Sequence, residues 1–137
     1  MRVLIIDGQG GGLGRQLVTA VKEYDQDIEV LAVGTNSAAT NAMLKAGADQ
    51  AATGENSVVV ASERVDVIMG PMGIVIADSM LGEITSRMAV AVGQSRAKRI
   101  LIPVNLCDNI VVGVSDVSMG KNVQNAIDAL KKSLDAD

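Results

Sequence analysis

A chain of 137 residues is the size of about one domain. Its 12 basic and 16 acidic residues give a net charge of −4, and this deficit of Lys and Arg argues against a nucleic acid partner. The absence of His excludes Ser-His and Cys-His nucleophile pairs, and the single cysteine, Cys107, excludes an intramolecular disulfide and a multi-thiolate metal site.

Neither a targeting segment nor a membrane span is expected. The first apolar run, residues 3–6, ends at Asp7 and is too short for a signal-peptide core. The most apolar region, residues 67–77, is interrupted by glycines and a proline and is shorter than the roughly 18 residues that a spanning helix needs. We therefore expect a cytoplasmic protein without a membrane partner, in which Cys107 is a reduced and passive thiol.

Two hydrophobic periodicities alternate along the first half of the chain. Apolar β-branched runs predict strands, and apolar residues at helical spacing predict helices between them. In chain order we predict a strand at 2–7, a helix from Leu13 to Tyr24, a strand at 28–33, a helix capped by Asn36 or Ser37 and stopped by Gly47, a strand at 48–53, a helix from about residue 56 to 64, and a strand at 65–69.

The second half of the chain continues the alternation. Residues 74–92 are apolar on almost every face and are predicted to be mostly helical, with a break near Gly82 and a restart capped by Thr85. Two further strands and a last helix are predicted at 99–104, 110–114 and about 123–134.

This order of elements predicts the fold class. Parallel strands need helical crossovers, and strands alternate with helices from end to end. No internal repeat, low-complexity segment or linker appears in the sequence. We predict a single doubly wound Rossmann-like α/β domain over residues 1–137, with a mostly parallel sheet and helices on both faces. Only the last two strands are close enough in sequence for a hairpin-like connection.

The sharpest signal is a glycine-rich loop between the first strand and the first helix, Asp7-Gly8-Gln9-Gly10-Gly11-Gly12-Leu13-Gly14. Glycines let backbone N–H groups approach a ligand, and the helix N-terminus adds a partial positive charge at the same place. The loop therefore favours a phosphate or pyrophosphate. The alternative is a tight turn without a ligand, but the glycine content exceeds what such a turn needs.

The spacing of these glycines, G-x-x-x-G-x-G at Gly8, Gly12 and Gly14, resembles the cofactor loop of short-chain dehydrogenases over about the first half of the chain. The resemblance implies a nicotinamide dinucleotide. The chain departs from that family at Asp7, which replaces a hydroxyl residue, and at the end of the second strand, where no acid or Arg is present. No Tyr-x-x-x-Lys exists either, so the oxidoreductase chemistry of the family is not carried over.

Most of the chain resembles a small bacterial family catalogued as domain of unknown function 3842. The stretches that carry this resemblance are residues 6–12, 34–36, 52–56 and 77–85. The resemblance implies a Rossmann-like fold and gives no activity.

In an open parallel sheet, ligands bind beyond the carboxyl ends of the strands. The predicted strands end in small or polar residues, which leave room for a flat ligand, although each segment alone is typical of an ordinary turn. Together these segments form the predicted nucleotide site, which consists of Asp7, Gly8, Gln9, Gly10, Gly11, Gly12, Leu13, Gly14, Gly34, Thr35, Asn36, Thr53, Gly54, Glu55, Gly70 and Pro71, with Asn105 after the next strand.

Four carboxylates are predicted nearest this edge, those of Asp7, Glu55, Asp78 and Glu83. Burial that shifts a pKa would suit one of them for acid–base chemistry. Mg²⁺ is expected only together with a phosphorylated ligand. The structural alternative is that Glu55 favours a helix N-terminus and that Asp78 and Glu83 are surface residues.

We therefore predict that the chain binds a phosphate-containing nucleotide at the loop, most simply a dinucleotide such as NAD(P). One alternative is a small enzyme that acts on a phosphorylated metabolite with Asp7 and Glu55 as its carboxylates. Another is a non-catalytic regulatory or structural subunit whose glycine loop contacts a partner chain.

The apolar residues 74–92 also predict a homodimer. A helix that is apolar all round must be covered, and a two-fold interface covers it on both copies. The alternative is that Gly82 splits the segment and that its first half folds into the core.

Overall fold

The computed structural model describes residues 1–104 and 106–135. The strands are β1 (Arg2–Asp7), β2 (Glu29–Gly34), β3 (Gln50–Thr53), β4 (Val67–Pro71) and β5 (Lys98–Ile102). The helices are α1 (Gly12–Tyr24), α2 (Ser37–Lys45), α3 (Glu55–Ser62), α4 (Ser86–Gln94) and α5 (Met119–Asp135), and a short 3₁₀ helix spans Met72–Val75. The strands form one parallel sheet in the order β3-β2-β1-β4-β5.

Strand β1 lies in the middle of the sheet, which explains its uninterrupted apolar sequence. Val3, Leu4 and Ile5 have no exposed surface, because helices cover both faces of a parallel sheet. One core packs α1, α2 and α5 on the sheet, and the other packs α3 and α4. The doubly wound Rossmann-like α/β fold is therefore confirmed.

The long helix predicted for residues 74–92 is wrong in its first half. Backbone φ angles of 69°, 57° and 57° at Asp78, Met80 and Leu81 lie in the left-handed region and cannot continue a helix. The chain instead forms turns and inserts Met80 and Ile84 into the core, where they are 6% and 1% exposed. This is the alternative in which the segment splits near Gly82.

The strand predicted at 110–114 is also wrong, because no strand forms there. Ile110 and Val112 are 92% and 88% exposed, and Gly113 adopts a φ of 81° in a turn. β-Branched residues form a strand only where a neighbouring strand and a packing surface accept them. The predicted strand end at Asn105 lies outside the described residues.

The remaining predicted elements are confirmed, with bounds shifted by a few residues. The side chain of Asn36 caps α2, because its Oδ1 accepts a hydrogen bond from the amide of Ala39 at 2.9 Å. In the described ranges, with residues 105, 136 and 137 set aside, no helix combines the length and apolar character needed to cross a membrane.

Thr85 caps α4, as predicted, and this cap generates a stability prediction. Its Oγ1 accepts a hydrogen bond from the amide of Met88 at 3.1 Å. Thr85→Ala should lower the free energy of unfolding by about 1 kcal/mol, because the amide loses its acceptor. Urea unfolding measures the change. Thr85→Ser keeps the hydroxyl and should stay near wild type, and equal stability of all three proteins would contradict the capping role.

Candidate functional site

The carboxyl ends of four strands meet at one edge of the sheet. Asp7, the last residue of β1, pairs in register with Gly34 at the end of β2, and Gly34 pairs with Thr53 at the end of β3. Pro71 ends β4 on the other side of β1. The chain leaves β1 toward one face of the sheet and β4 toward the other. This edge is therefore the topological switch point, where open α/β sheets bind ligands.

The carboxylate of Asp7 organises the glycine loop from below. It is 4% exposed. Its two oxygens accept hydrogen bonds from the amide of Gly8 at 2.8 Å and from the amide of Gly14 at 2.7 Å. Burial raises the pKa of Asp7 even though both amides act to lower it, and the nearby charge of Glu83 raises it further. Asp7 is thus a structural carboxylate at the start of α1.

Three glycines of the loop are required by packing. A Cβ on Gly14 would lie 2.6 Å from Met43 Sδ and 2.8 Å from Asp7 Cβ. A Cβ on Gly11 would lie 2.7 Å from the Cα of Ala39, and its φ of 74° is left-handed. A Cβ on Gly8 would meet the Thr35 hydroxyl oxygen at 2.6 Å. These three positions let α1, α2 and β2 approach closely.

The other two glycines of the loop face open space. A Cβ on Gly10 or Gly12 would meet no atom within 4 Å. Among the described residues, nothing accepts a hydrogen bond from the amides of Gly12 and Leu13, which are the first two of α1. Packing therefore gives no reason for glycine at these two positions, and the amides beside them are free donors at a helix N-terminus.

Glu83 reaches this edge from the turn that precedes α4. Its Oε1 accepts hydrogen bonds from the Gln9 amide at 3.0 Å, the Thr35 hydroxyl at 2.5 Å and the Asn36 side-chain amide at 2.7 Å. The Asn36 amide also donates to the Gln9 carbonyl at 2.9 Å. One carboxylate therefore ties the end of β2 to the glycine loop.

The pKa of Glu83 shifts in the opposite direction to that of Asp7. Partial burial acts to raise the pKa of Glu83, but hydrogen bonds from Thr35, Gln9 and Asn36 outweigh it and lower the pKa below the ordinary glutamate value. Its Oε2 makes no hydrogen bond to any residue that the structure describes. Glu83 therefore presents a fixed, ionised carboxylate with one oxygen unused.

The ends of β2 and β3 are joined by small polar groups. The Thr40 and Thr53 hydroxyls lie 2.7 Å apart, and the Gly54 amide donates to the Gly34 carbonyl at 2.9 Å. Gly54 adopts a φ of 105° and is the N-cap residue that precedes α3. The structure thus brings Thr53 and Gly54 to the site edge through backbone pairing.

The remaining predicted site residues have structural partners. Glu55 pairs with Arg87 at 3.9 Å, and both side chains are in part exposed to solvent. Gly70 packs against β1, because a Cβ there would lie 2.5 Å from the carbonyl oxygen of Ile6. In the described part of the chain, no contact joins Asp7 to Glu55, and no group of three or more acidic or Cys side chains is arranged to hold a metal ion.

Two surface grooves lie away from the glycine loop. One of about 380 Å³ lies against β2, β3 and α3, and one of about 510 Å³ lies between β5 and α5. We place the candidate site at the loop instead, because free amides and oriented polar side chains converge there.

Sequence reasoning named Glu83 as a carboxylate near the edge but left it out of the predicted nucleotide site. The available signal was its position in the segment that follows β4, whose carboxyl end shares this edge. Its contacts depend on the turn at residues 76–85. The sequence predicted a helix over most of these residues, and that helix would not have placed Glu83 at the loop.

The lowered pKa of Glu83 predicts a pH-dependent contribution to stability. Because the folded pKa lies below the unfolded value, this contribution is present above the unfolded pKa, about 4.3, and is lost as pH falls through the folded pKa. Glu83→Gln should therefore destabilise the protein more at pH 7 than at pH 3, as measured by urea unfolding. Asp78→Asn removes an exposed charge from the same turn and should stay near wild type at both pH values. An equal loss for Glu83→Gln at both pH values would contradict the prediction.

The family model described as Domain of unknown function (DUF3842) matches residues 2–135. Among solved structures, the chain is similar to a dodecameric FMN-dependent UbiX-like decarboxylase from Escherichia coli O157:H7, with 18% sequence identity and a TM-score of 0.46, over 96% of this chain and 77% of that chain. No curated protein matches the chain. Since the family model matches almost the whole sequence, the chain belongs to the family Domain of unknown function (DUF3842).

Proposed function

We propose that the chain binds a phosphate-containing nucleotide at residues 8–14, with a dinucleotide such as NAD(P) as the first candidate. The observation that carries the proposal is the pair of free amides at Gly12 and Leu13, beside open space at Gly10 and Gly12. They begin a helix of 13 residues at the switch point of a parallel sheet.

Electrostatics favour an anion at this helix start. The N-terminus of a helix carries the equivalent of about half a positive charge. Asp7 opposes an incoming anion, but its carboxylate is buried beneath the loop and is already bonded to the amides of Gly8 and Gly14. A phosphate would bind on the outer side of the loop, where Gly12 is exposed.

The shape of the edge favours a ligand longer than a single phosphate. The free amides lie at the start of α1, whereas the polar groups of Thr35 and Asn36 lie at the end of β2. A nucleotide would present its phosphate to the first group and its ribose to the second. A ligand panel of NAD⁺, NADP⁺, ADP and FMN covers dinucleotides and mononucleotides.

No contact supports the alternative enzyme based on Asp7 and Glu55. Asp7 is committed to two loop amides, and Glu55 lies against Arg87. A non-catalytic subunit is the outcome if no nucleotide in the panel binds.

Gly12→Val tests the proposed site. The valine side chain would fill the open space beside the free amides, so we expect binding of NAD⁺ to be abolished in calorimetry. The fold should persist, because a Cβ at Gly12 meets no neighbouring atom. Gly93→Val is the matched control, since Gly93 also has open space but lies near the far end of α4. Unchanged affinity in Gly12→Val would contradict the proposal.

We also propose that the chain forms a homodimer. The core absorbs most of the apolar residues at 74–92, which leaves Leu81 and Val90 exposed at 99% and 52%. A two-fold interface over these side chains would remove their apolar surface from water on both copies.

Light scattering on Leu81→Glu/Val90→Glu tests the dimer. The charges should dissociate it, because they would be buried without partners in the interface. Met88 is unsuitable for this test, since it is 3% exposed and belongs to the core. Leu44→Glu, at an exposed position on α2, is the control and should stay dimeric. A monomeric wild type, or a dimer that the double variant leaves intact, would contradict the proposed interface.

A further inference from the structure

The end of β2 lacks the acidic residue that recognises ribose in dinucleotide-binding folds. In such folds an Asp or Glu near this position accepts a hydrogen bond from the ribose 2′-hydroxyl, and an Arg there accommodates a 2′-phosphate instead. In this chain the residues that follow β2 are Thr35 and Asn36. The sequence alone therefore gives no ribose-recognising group.

The structure supplies a carboxylate at that place from a different element. Glu83 lies between β4 and α4 in the sequence, yet its Oε1 is bonded to Thr35, to Asn36 and to the loop amide of Gln9. It also lies 3.1 Å from the position that a Cβ on Gly8 would occupy. The carboxylate thus sits at the junction of the second strand and the glycine loop.

We propose that Glu83 is the ribose-recognising residue of this site, so that the chain selects nucleotides with a free 2′-hydroxyl and rejects those with a 2′-phosphate. The inference rests on the proposed nucleotide binding. The unused Oε2 is the acceptor for the ribose hydroxyls, because three donors already hold Oε1 in one orientation.

The charge distribution around Glu83 supports this selectivity. The ion pairs found in residues 1–104 and 106–135 do not include Glu83, so no Lys or Arg neutralises it at short range. Asp7, the carboxylate beneath the loop, lies close enough for its charge to interact with that of Glu83. A 2′-phosphate at this position would face uncompensated negative charge, whereas a hydroxyl would donate a hydrogen bond.

In an alternative role, Glu83 would occupy the place of a ligand phosphate, since its Oε1 accepts three hydrogen bonds that a phosphate oxygen could accept instead. In that case the carboxylate would have to leave before any phosphate could bind there. The two roles predict opposite effects of substitution. As a ribose acceptor Glu83 strengthens binding of a 2′-hydroxyl nucleotide, and as an occupant it weakens binding of every phosphate nucleotide.

Glu83→Gln separates these roles with little structural change. The three donors should retain the amide carbonyl oxygen in the place of Oε1, so the –NH₂ group would replace the free oxygen. Calorimetry would compare NAD⁺, NADP⁺, ADP and 2′-deoxy-ADP on the wild type and on Glu83→Gln. Asp78→Asn is the control for loss of one charge from the same turn.

We expect the wild type to bind NAD⁺ at least about tenfold more tightly than NADP⁺, and ADP more tightly than 2′-deoxy-ADP, as loss of a hydrogen bond to a charged group implies. Glu83→Gln should reduce both preferences by about the same factor, and Asp78→Asn should keep them. A wild type that binds these nucleotides without either preference overturns the inference and leaves the proposed function intact. So does a Glu83→Gln variant that keeps both preferences or binds all four ligands more tightly. A wild type that binds none of the four, and does not bind FMN either, overturns the proposed function as well.

Discussion

The close approach of helix α1 to the end of strand β1 is the constraint on which the site depends. The Gly14 amide donates to the Asp7 carboxylate at 2.7 Å, and no Cβ fits between them. This contact buries a carboxylate at a helix N-terminus, where the helix dipole and two amides partly offset the cost of desolvation. It also fixes the direction of the loop, so that the amides of Gly12 and Leu13 remain free.

A second carboxylate holds the loop from above. Asp7 accepts hydrogen bonds from two amides but is almost inaccessible to solvent, so the effect of desolvation exceeds that of the hydrogen bonds and its pKa rises. Glu83 accepts hydrogen bonds from three donors and keeps some solvent exposure, so the effect of the hydrogen bonds exceeds that of desolvation and its pKa falls. The pKa values of two carboxylates at the same loop therefore shift in opposite directions. The inner carboxylate maintains the loop, and the outer one is available to a ligand.

In the turn at residues 76–85, burial of apolar side chains offsets the unfavourable backbone conformation. Left-handed φ angles at Met80 and Leu81 are unfavourable for residues other than glycine. The turn places Met80 and Ile84 in the core beneath α4 and carries Glu83 to the loop. A regular helix over the same residues would have kept Glu83 on its own surface. The departure from helical geometry is thus what couples the β4–α4 connection to the glycine loop.

The sequence by itself determined the order of the strands from β1 to β5 and of the helices between them, the buried strand at 2–7, the glycine loop and the cap at Thr85, and it limited the cap of α2 to Asn36 or Ser37. Each of these is encoded by local periodicity or by a side chain that bonds within its own turn. Only the tertiary structure decided that residues 110–114 form no strand and that Glu83 meets Thr35 and Gln9. It also decided which glycines are required by packing and which are open. These outcomes depend on contacts between residues 27 to 74 positions apart, such as those of Asn36 and Glu83 with Gln9, which no local pattern records.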